Sequence, residues 1–141
     1  MKLIKYIKEL LDEREKNGFK HIYFMIDVHN TIIKPSHSKN ENFIFFDYAK
    51  EVLQELSKRK DVKLIMWTST YPLVVEMYLK KFEEIGIHFD FVNSNKDMVN
   101  DDIRCFDNKF FYDVCIDDKC GFDAERDWEK IWFIVLNSGK K

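Results

Sequence analysis

Three apolar runs in this chain each end in side chains that could do chemistry: Asp27 after residues 22–26, Thr68 and Ser69 after residues 62–67, and Asp117 with Asp118 after residues 114–116. Apolar runs of this length, rich in β-branched and aromatic residues, are typical of buried strands. Parallel α/β sheets bind their ligands at the carboxyl ends of the strands. We therefore expect these polar side chains to meet at one edge of a parallel sheet.

The adjacent carboxylates of Asp117 and Asp118 indicate a cation site. Neighbouring negative charges repel each other, and a hard, oxygen-seeking cation such as Mg²⁺ is the usual reason to keep them together. A solvated loop with ordinary acids is the alternative interpretation. Asp27 alone would be weak evidence, because aspartates also cap helices and turns.

Two further residues could bind a phosphate beside that cation. Thr68 precedes a predicted helix, whose N-terminal backbone N–H groups would attract an anion together with the hydroxyl. Lys109 lies shortly before the fourth apolar run and could balance the negative charge gathered there. As a single lysine it is more often an ordinary surface residue.

Strands and helices alternate along the chain. Apolar spacing predicts an N-terminal helix within residues 1–18 and further helices over about 47–59 and 72–85, with Asp47 capping the second and Pro72 opening the third. Strands are predicted over residues 22–26, 62–67, 89–92, 114–116 and 132–135. This alternation implies parallel βαβ units with right-handed crossovers in a single domain over residues 1–141.

Residues 32–46 could form a short flap beside the site. In it, Lys34, His37 and Lys39 would either meet a phosphate or simply be solvated. The apolar run 43–46 could stack a base, although packing beneath the flap is the simpler interpretation.

Composition narrows the class of protein. The 141 residues, 45% hydrophobic and 16% aromatic, suffice for one core. A net charge of −2 gives no global signature of nucleic-acid binding, though a local basic groove remains possible. Three cysteines without a CxxC pair favour a reducing, cytoplasmic setting. No signal peptide and no apolar run long enough for a bilayer are expected.

The order of the motifs, Asp-x-x-x-Thr, then Thr/Ser, then Lys and finally Asp-Asp, resembles that of the haloacid dehalogenase (HAD) superfamily of phosphatases. The segment 112–119 and Trp128 are similar to the small capless members, such as the phosphatase domains of bacteriophage polynucleotide kinases. The resemblance implies a three-layer, Rossmann-like α/β fold with a parallel five-stranded sheet in the order 5-4-1-2-3 and no cap domain.

The resemblance also implies roles for the site residues. The family residue matching Asp27 attacks phosphorus and becomes an aspartyl-phosphate. Those matching Thr68 and Ser69 bind the phosphoryl group, and the one matching Lys109 steadies nucleophile and phosphate. The family's Mg²⁺ ligands correspond to Asp27, Asp117, Asp118 and the backbone carbonyl of His29.

His29 departs from the family pattern, which has a second aspartate there to protonate the leaving group and then activate water. An imidazole can do both near neutral pH, but a cationic ring near Mg²⁺ is disfavoured and a neutral one is a poor acid. Two functions remain. One is a Mg²⁺-dependent phosphatase whose open site accepts a nucleotide, a nucleic-acid end or another bulky phosphomonoester. The other is a catalytically impaired relative that binds phosphate or a protein partner.

Overall fold

A parallel sheet of four strands forms the centre of the protein. The computed structural model describes residues 2–17, 21–35 and 43–138, with only the backbone described over 13–17. The elements are β1 (Ile22–Asp27), β2 (Val62–Trp67), β3 (Phe91–Val92), β4 (Val114–Ile116), α1 (Lys2–Asn17), α2 (Ala49–Lys58), α3 (Pro72–Glu84), α4 (Asp127–Asn137) and a 3₁₀ turn at Asp118–Cys120. The strand order is β3-β2-β1-β4, and every pair is parallel. The predicted Rossmann-like α/β class is confirmed.

Successive residues of the strands alternate between two apolar clusters. Ile22, Phe24 and Ile26 of β1 belong to a large cluster that includes apolar residues of all four helices. Tyr23 and Met25 face a smaller cluster built with aromatic residues of a long segment, Phe110, Phe111 and Tyr112 among them. Both faces of β1 are therefore covered, which explains its nearly continuous apolar run.

The long segment 93–113 carries the chain from β3 at one edge of the sheet to β4 at the other edge. It forms neither helix nor strand. Since its aromatic residues pack on the second face of the sheet, the third layer of the fold is this segment rather than a helix.

The fifth strand predicted over residues 132–135 is wrong, because these residues lie in α4. Trp128, Ile131 and Val135 are buried at helical spacing, whereas Phe133 is 58% exposed. The helical spacing of the buried residues, and not the β-forming composition of the run, therefore determines its structure. The sheet consequently has four strands, in the 4-1-2-3 part of the predicted order.

Smaller differences have local causes. β3 is shorter than predicted, because the Asp90 carboxylate, rather than a backbone group, accepts the Leu64 N–H at 2.9 Å. Asp47 does not cap α2, whose N-cap is Tyr48 in the left-handed region (φ 69°) with no side-chain cap. Pro72 does open α3 as predicted.

The two ends of the predicted flap pair with each other. Ile33 and Phe45 form an antiparallel bridge, and the Phe43 ring packs on Tyr78 and Phe82 at 5.2 and 5.0 Å between centroids. The packing interpretation of this aromatic run is confirmed for Phe43. The centre of the flap, including His37 and Lys39, lies outside the described residues. Among the helices of the described ranges, none has the length and apolarity to cross a membrane.

Candidate metal and phosphate site

The carboxyl ends of two neighbouring strands bring three carboxylates together. Asp27 ends β1, and Asp117 and Asp118 follow β4, its parallel partner. One oxygen from each carboxylate lies within 4.8 Å of the others, and all three side chains are half-buried. The predicted meeting of these side chains at one sheet edge is confirmed. Oxygen ligands of this kind suit a hard divalent cation such as Mg²⁺.

A tight turn after β1 turns the chain back towards the carboxylates. The Val28 carbonyl accepts the N–H of Ile32 at 2.9 Å, and the Asn30 N–H donates to the Ile33 carbonyl at 2.9 Å. Asn30 takes the left-handed conformation (φ 63°), which asparagine tolerates better than most residues. The turn places Thr31 beside Asp27.

Thr31 links the two strand ends, a role that sequence reasoning missed. Its hydroxyl donates to Asp27 Oδ2 at 2.9 Å and accepts the Asp118 N–H at 3.1 Å. The hydroxyl oxygen also lies 3.3 Å from Asp118 Oδ1. Because a hydroxyl has one proton to donate and the Asp27 contact is shorter, we assign the donated hydrogen bond to Asp27. The buried Trp128 Nε1–H donates to the Thr31 carbonyl at 2.7 Å. Thr31 is the threonine of the Asp-x-x-x-Thr pattern, and that pattern was the signal from which its role could have been predicted.

Asp27 holds its proton more tightly than an ordinary aspartate. Burial, opposed by the Thr31 hydrogen bond and reinforced by the negative charges of Asp117 and Asp118, raises the pKa of Asp27 to about 6. The carboxyl is thus still mainly ionised at neutral pH. Its environment favours an added positive charge, which would stabilise the ionised form.

Thr68 and Ser69 share with the three carboxylates a cavity of about 460 Å³, which His29 also lines. The Asn93 amide holds the Thr68 backbone at both ends, since its Oδ1 accepts the Thr68 N–H at 2.9 Å and its Nδ2 donates to the Thr68 carbonyl at 2.7 Å. The Thr68 N–H is therefore already bonded, and α3 begins only at Pro72. This differs from the predicted helix N-terminus at Thr68. The Thr68 hydroxyl accepts the Thr70 N–H at 3.2 Å and lies 2.8 Å from the Thr70 hydroxyl, so it would meet a phosphate together with Thr70.

His29 is an exposed residue that lines this cavity. Its Nε2 lies 3.0 Å from the hydroxyl of Tyr78, which is only 4% exposed and belongs to α3. Whichever group donates, this contact engages Nε2 and not Nδ1.

The predicted lysine is not brought to the site. Lys109 is exposed and lines a different cavity, together with Phe110 and Tyr112. Lys119, directly after the acid pair, lines the cavity of Asp27 instead, and its backbone N–H donates to Asp117 Oδ1 at 2.9 Å. Position in the chain relative to the fourth strand therefore did not predict which lysine lines the cavity of Asp27.

Comparisons with known proteins agree with the fold. No protein-family model matches the chain, and neither does any curated protein. Among solved structures, the chain is similar to a conserved protein from Bacteroides thetaiotaomicron, with a TM-score of 0.61 and 20% sequence identity over 82% of this chain and 90% of that one. At this identity the likeness shows the fold alone, an α/β arrangement around a parallel sheet.

Proposed function

We propose that this protein is a Mg²⁺-dependent phosphatase of the HAD type that acts on phosphomonoesters through an aspartyl-phosphate on Asp27. The observation that carries the proposal is the cluster of Asp27, Asp117 and Asp118 within 4.8 Å, in one cavity with the Thr68 hydroxyl. A cation and a phosphate are the ligands that such a combination of carboxylates and hydroxyl accommodates best.

Asp27 is the best candidate for the nucleophile. Thr31 bonds Oδ2 and leaves Oδ1 to attack phosphorus. A new Asp27 O–P bond forms as the bond from phosphorus to the leaving oxygen breaks. Water then attacks phosphorus, which releases phosphate and restores the carboxylate.

The three aspartates would hold Mg²⁺, with the carbonyl of His29 as the fourth ligand that the resemblance implies. When bound, the ion would neutralise part of the charge on the phosphoryl oxygens. Lys119 and the hydroxyls of Thr68 and Ser69 line the same cavity and would supply the remaining phosphate contacts.

His29 would manage the protons through Nδ1. In the first step the protonated ring gives its Nδ1 proton to the leaving oxygen and becomes neutral, and in the second the neutral Nδ1 takes a proton from the attacking water. The contact with Tyr78 orients the ring for both transfers, because it holds Nε2 from a buried position.

A binding protein without turnover is the second candidate. It is favoured by the placement of Lys109 in another cavity, because the lysine that matches the family's phosphate-steadying residue in chain order then does not line the cavity of Asp27. Such a protein would still bind phosphate or a partner through Thr68 and Lys119.

Release of phosphate tests the proposal. Wild type should release phosphate from nucleotides, oligonucleotide ends or a generic aryl phosphate in a Mg²⁺-dependent reaction. Asp27→Asn should abolish that release, whereas Glu125→Gln, an exposed acid that does not line the cavity, should not. Activity that persists undiminished in Asp27→Asn would refute the nucleophile, and no turnover with any substrate would leave the binding candidate.

A further inference from the structure

A second cavity, which we call the Trp67 cavity, adjoins the candidate site and shares Trp67 and Asn93 with it. Its volume is about 510 Å³, within the range of small-molecule sites. Trp67 directly precedes Thr68, and Asn93 holds the Thr68 backbone, so the wall that the two cavities share lies beside the residue proposed to bind phosphate. A molecule whose phosphate lies at Asp27 would extend into the Trp67 cavity with its other end.

The far wall of the Trp67 cavity comes from the long segment 93–113. Ordered segments of this length without helix or strand are uncommon and are usually functional. Asn95 is buried and bonds the Phe111 carbonyl at 3.0 Å, while Asn100 bonds both Asp107 Oδ1 at 2.9 Å and the Phe106 N–H at 2.7 Å. These bonds give the wall a fixed shape before any ligand binds.

The chemistry of the lining suits a flat, neutral, aromatic group. Trp67 is 40% exposed, packs against Phe110 at 5.7 Å between centroids, and stands with Met98 and Val99 at the cavity. Asn108 also lines it and makes no side-chain hydrogen bond with the residues that the structure describes, so its amide can pair with donors and acceptors of a base edge. Aromatic rings and amides are how proteins usually stack and pair a nucleobase.

The charge of the lining favours a nucleotide over a nucleic-acid end. Lys96 and Asp107 both line the cavity, and their charges offset each other. A nucleic-acid strand would bring further backbone phosphates, which need a run of cations that this wall does not supply.

We propose that the Trp67 cavity binds the base of a nucleoside monophosphate whose phosphate lies at Asp27. This inference rests on the proposed phosphatase function and names its substrate class. It assigns Trp67, Asn108 and Val99 to recognition of the leaving group.

The test compares two substrates that differ only in the base. With Mg²⁺ present, adenosine 5′-monophosphate should have a kcat/KM roughly 5- to 150-fold above that of ribose 5-phosphate, the range expected for stacking one base. Val99→Glu, at a 79% exposed wall position, should bring this ratio close to one. Ile103→Glu is the matched control, since Ile103 is 94% exposed in the same segment and does not line the cavity. It should keep the wild-type ratio.

Binding to Asp27→Asn separates this inference from the proposed function. Calorimetry should show the same 5- to 150-fold preference for the nucleotide, whether or not wild type turns it over. A preference in binding without any turnover would refute the phosphatase but support the cavity. Equal kcat/KM for the two substrates, a ratio unchanged by Val99→Glu, or binding of neither would overturn the inference. So would a phosphotyrosine peptide hydrolysed in clear preference to the nucleotide.

Discussion

At the scale of single residues, one buried hydroxyl determines how the two acidic strand ends meet. Thr31 is fully buried, donates to Asp27 and accepts from the backbone of Asp118. Thr31→Val keeps the shape but removes both bonds, so the Asp118 N–H loses its partner. We expect a loss of about 1–3 kcal/mol in the free energy of unfolding. We also expect roughly 10- to 100-fold lower turnover, as when a residue that orients metal ligands is lost.

Urea unfolding and phosphate release would check the Thr31 prediction. Thr31→Ser retains the hydroxyl and is the control for its two hydrogen bonds. Any loss of stability or turnover in Thr31→Ser reports only the missing methyl group. Equal activity in Thr31→Val and wild type would show that the hydrogen bonds of the Thr31 hydroxyl do not position Asp27.

The proton step depends on His29. With a poor leaving group, His29→Ala should lower turnover about 10²- to 10⁴-fold, because a positioned acid and base contribute that much. With an activated aryl phosphate, whose leaving group needs little protonation, the loss should be far smaller. His29→Asp restores the usual acid of the HAD family and should retain or raise activity. Equal losses with both substrates would argue against proton transfer by His29.

Residue types and order were enough to predict the carboxylate cluster but not its surroundings. Asp27, Asp117 and Asp118 were predictable because strand ends in a parallel sheet share an edge. Loops that fold across the sheet edge bring Asn93 into contact with the Thr68 backbone. They also determine that Lys119, and not Lys109, lines the cavity of Asp27. No local pattern encodes those contacts between residues far apart in the chain.

At the scale of elements, a buried ion pair joins the end of α2 to the start of β2. Arg59 donates two bonds to the Asp61 carboxylate, both at 2.9 Å, and one to Ser138 Oγ at 2.9 Å. The Asp61 carbonyl accepts the Ile22 N–H at 2.7 Å. Both charged side chains are nearly inaccessible, at 9% and 2%.

Asp61→Ala should therefore cost about 3–5 kcal/mol in the free energy of unfolding, because it leaves the Arg59 charge buried without its carboxylate. Glu55→Ala, which removes the exposed pair with Lys58, should cost less than about 1 kcal/mol. Denaturant unfolding of the two variants measures the difference. Similar losses would mean that the Arg59 charge is satisfied without Asp61.

The strand wrongly predicted over residues 132–135 shows that local composition alone does not distinguish a strand from a helix. A run of aromatic and β-branched residues favours a strand when taken alone. Its assignment to α4 depends on the buried Trp128 and Ile131 before it, which extend a helical period beyond the run. No helix or strand was predicted within the long segment 93–113, but its packing over one face of the sheet was not predicted.

At the scale of the whole molecule, the three clustered carboxylates predict that a cation stabilises the folded protein. Mg²⁺ that binds the folded protein alone should raise the free energy of unfolding by about 2.7 kcal/mol at a hundredfold excess over its Kd. Asp117→Ala removes one ligand and should not respond. Melting curves with and without millimolar Mg²⁺ measure both effects, and an unmoved wild-type melting temperature would contradict the metal site.

The same cluster sets a pH dependence in the metal-free protein. Burial and the neighbouring charges raise the pKa of Asp27 from 3.8 to about 6. A carboxyl whose pKa is higher in the folded state contributes stability below its ordinary pKa, and this contribution is lost as pH rises through about 6. Ionisation of Asp27 should therefore lower the stability of wild type in chelator between pH 4 and pH 6. Asp27→Asn has no proton to lose at this position and should lack that part of the decline.

Urea unfolding of both proteins across this range, first in chelator and then in Mg²⁺, measures this pH dependence and its response to the cation. Mg²⁺ should reverse the wild-type decline, because it binds the ionised form of Asp27 and gains affinity as the proton leaves. It should change the pH profile of Asp27→Asn much less. Parallel profiles for the two proteins in chelator would show that burial and the neighbouring carboxylates do not raise the pKa of Asp27, and the electrostatic basis of the site would fail.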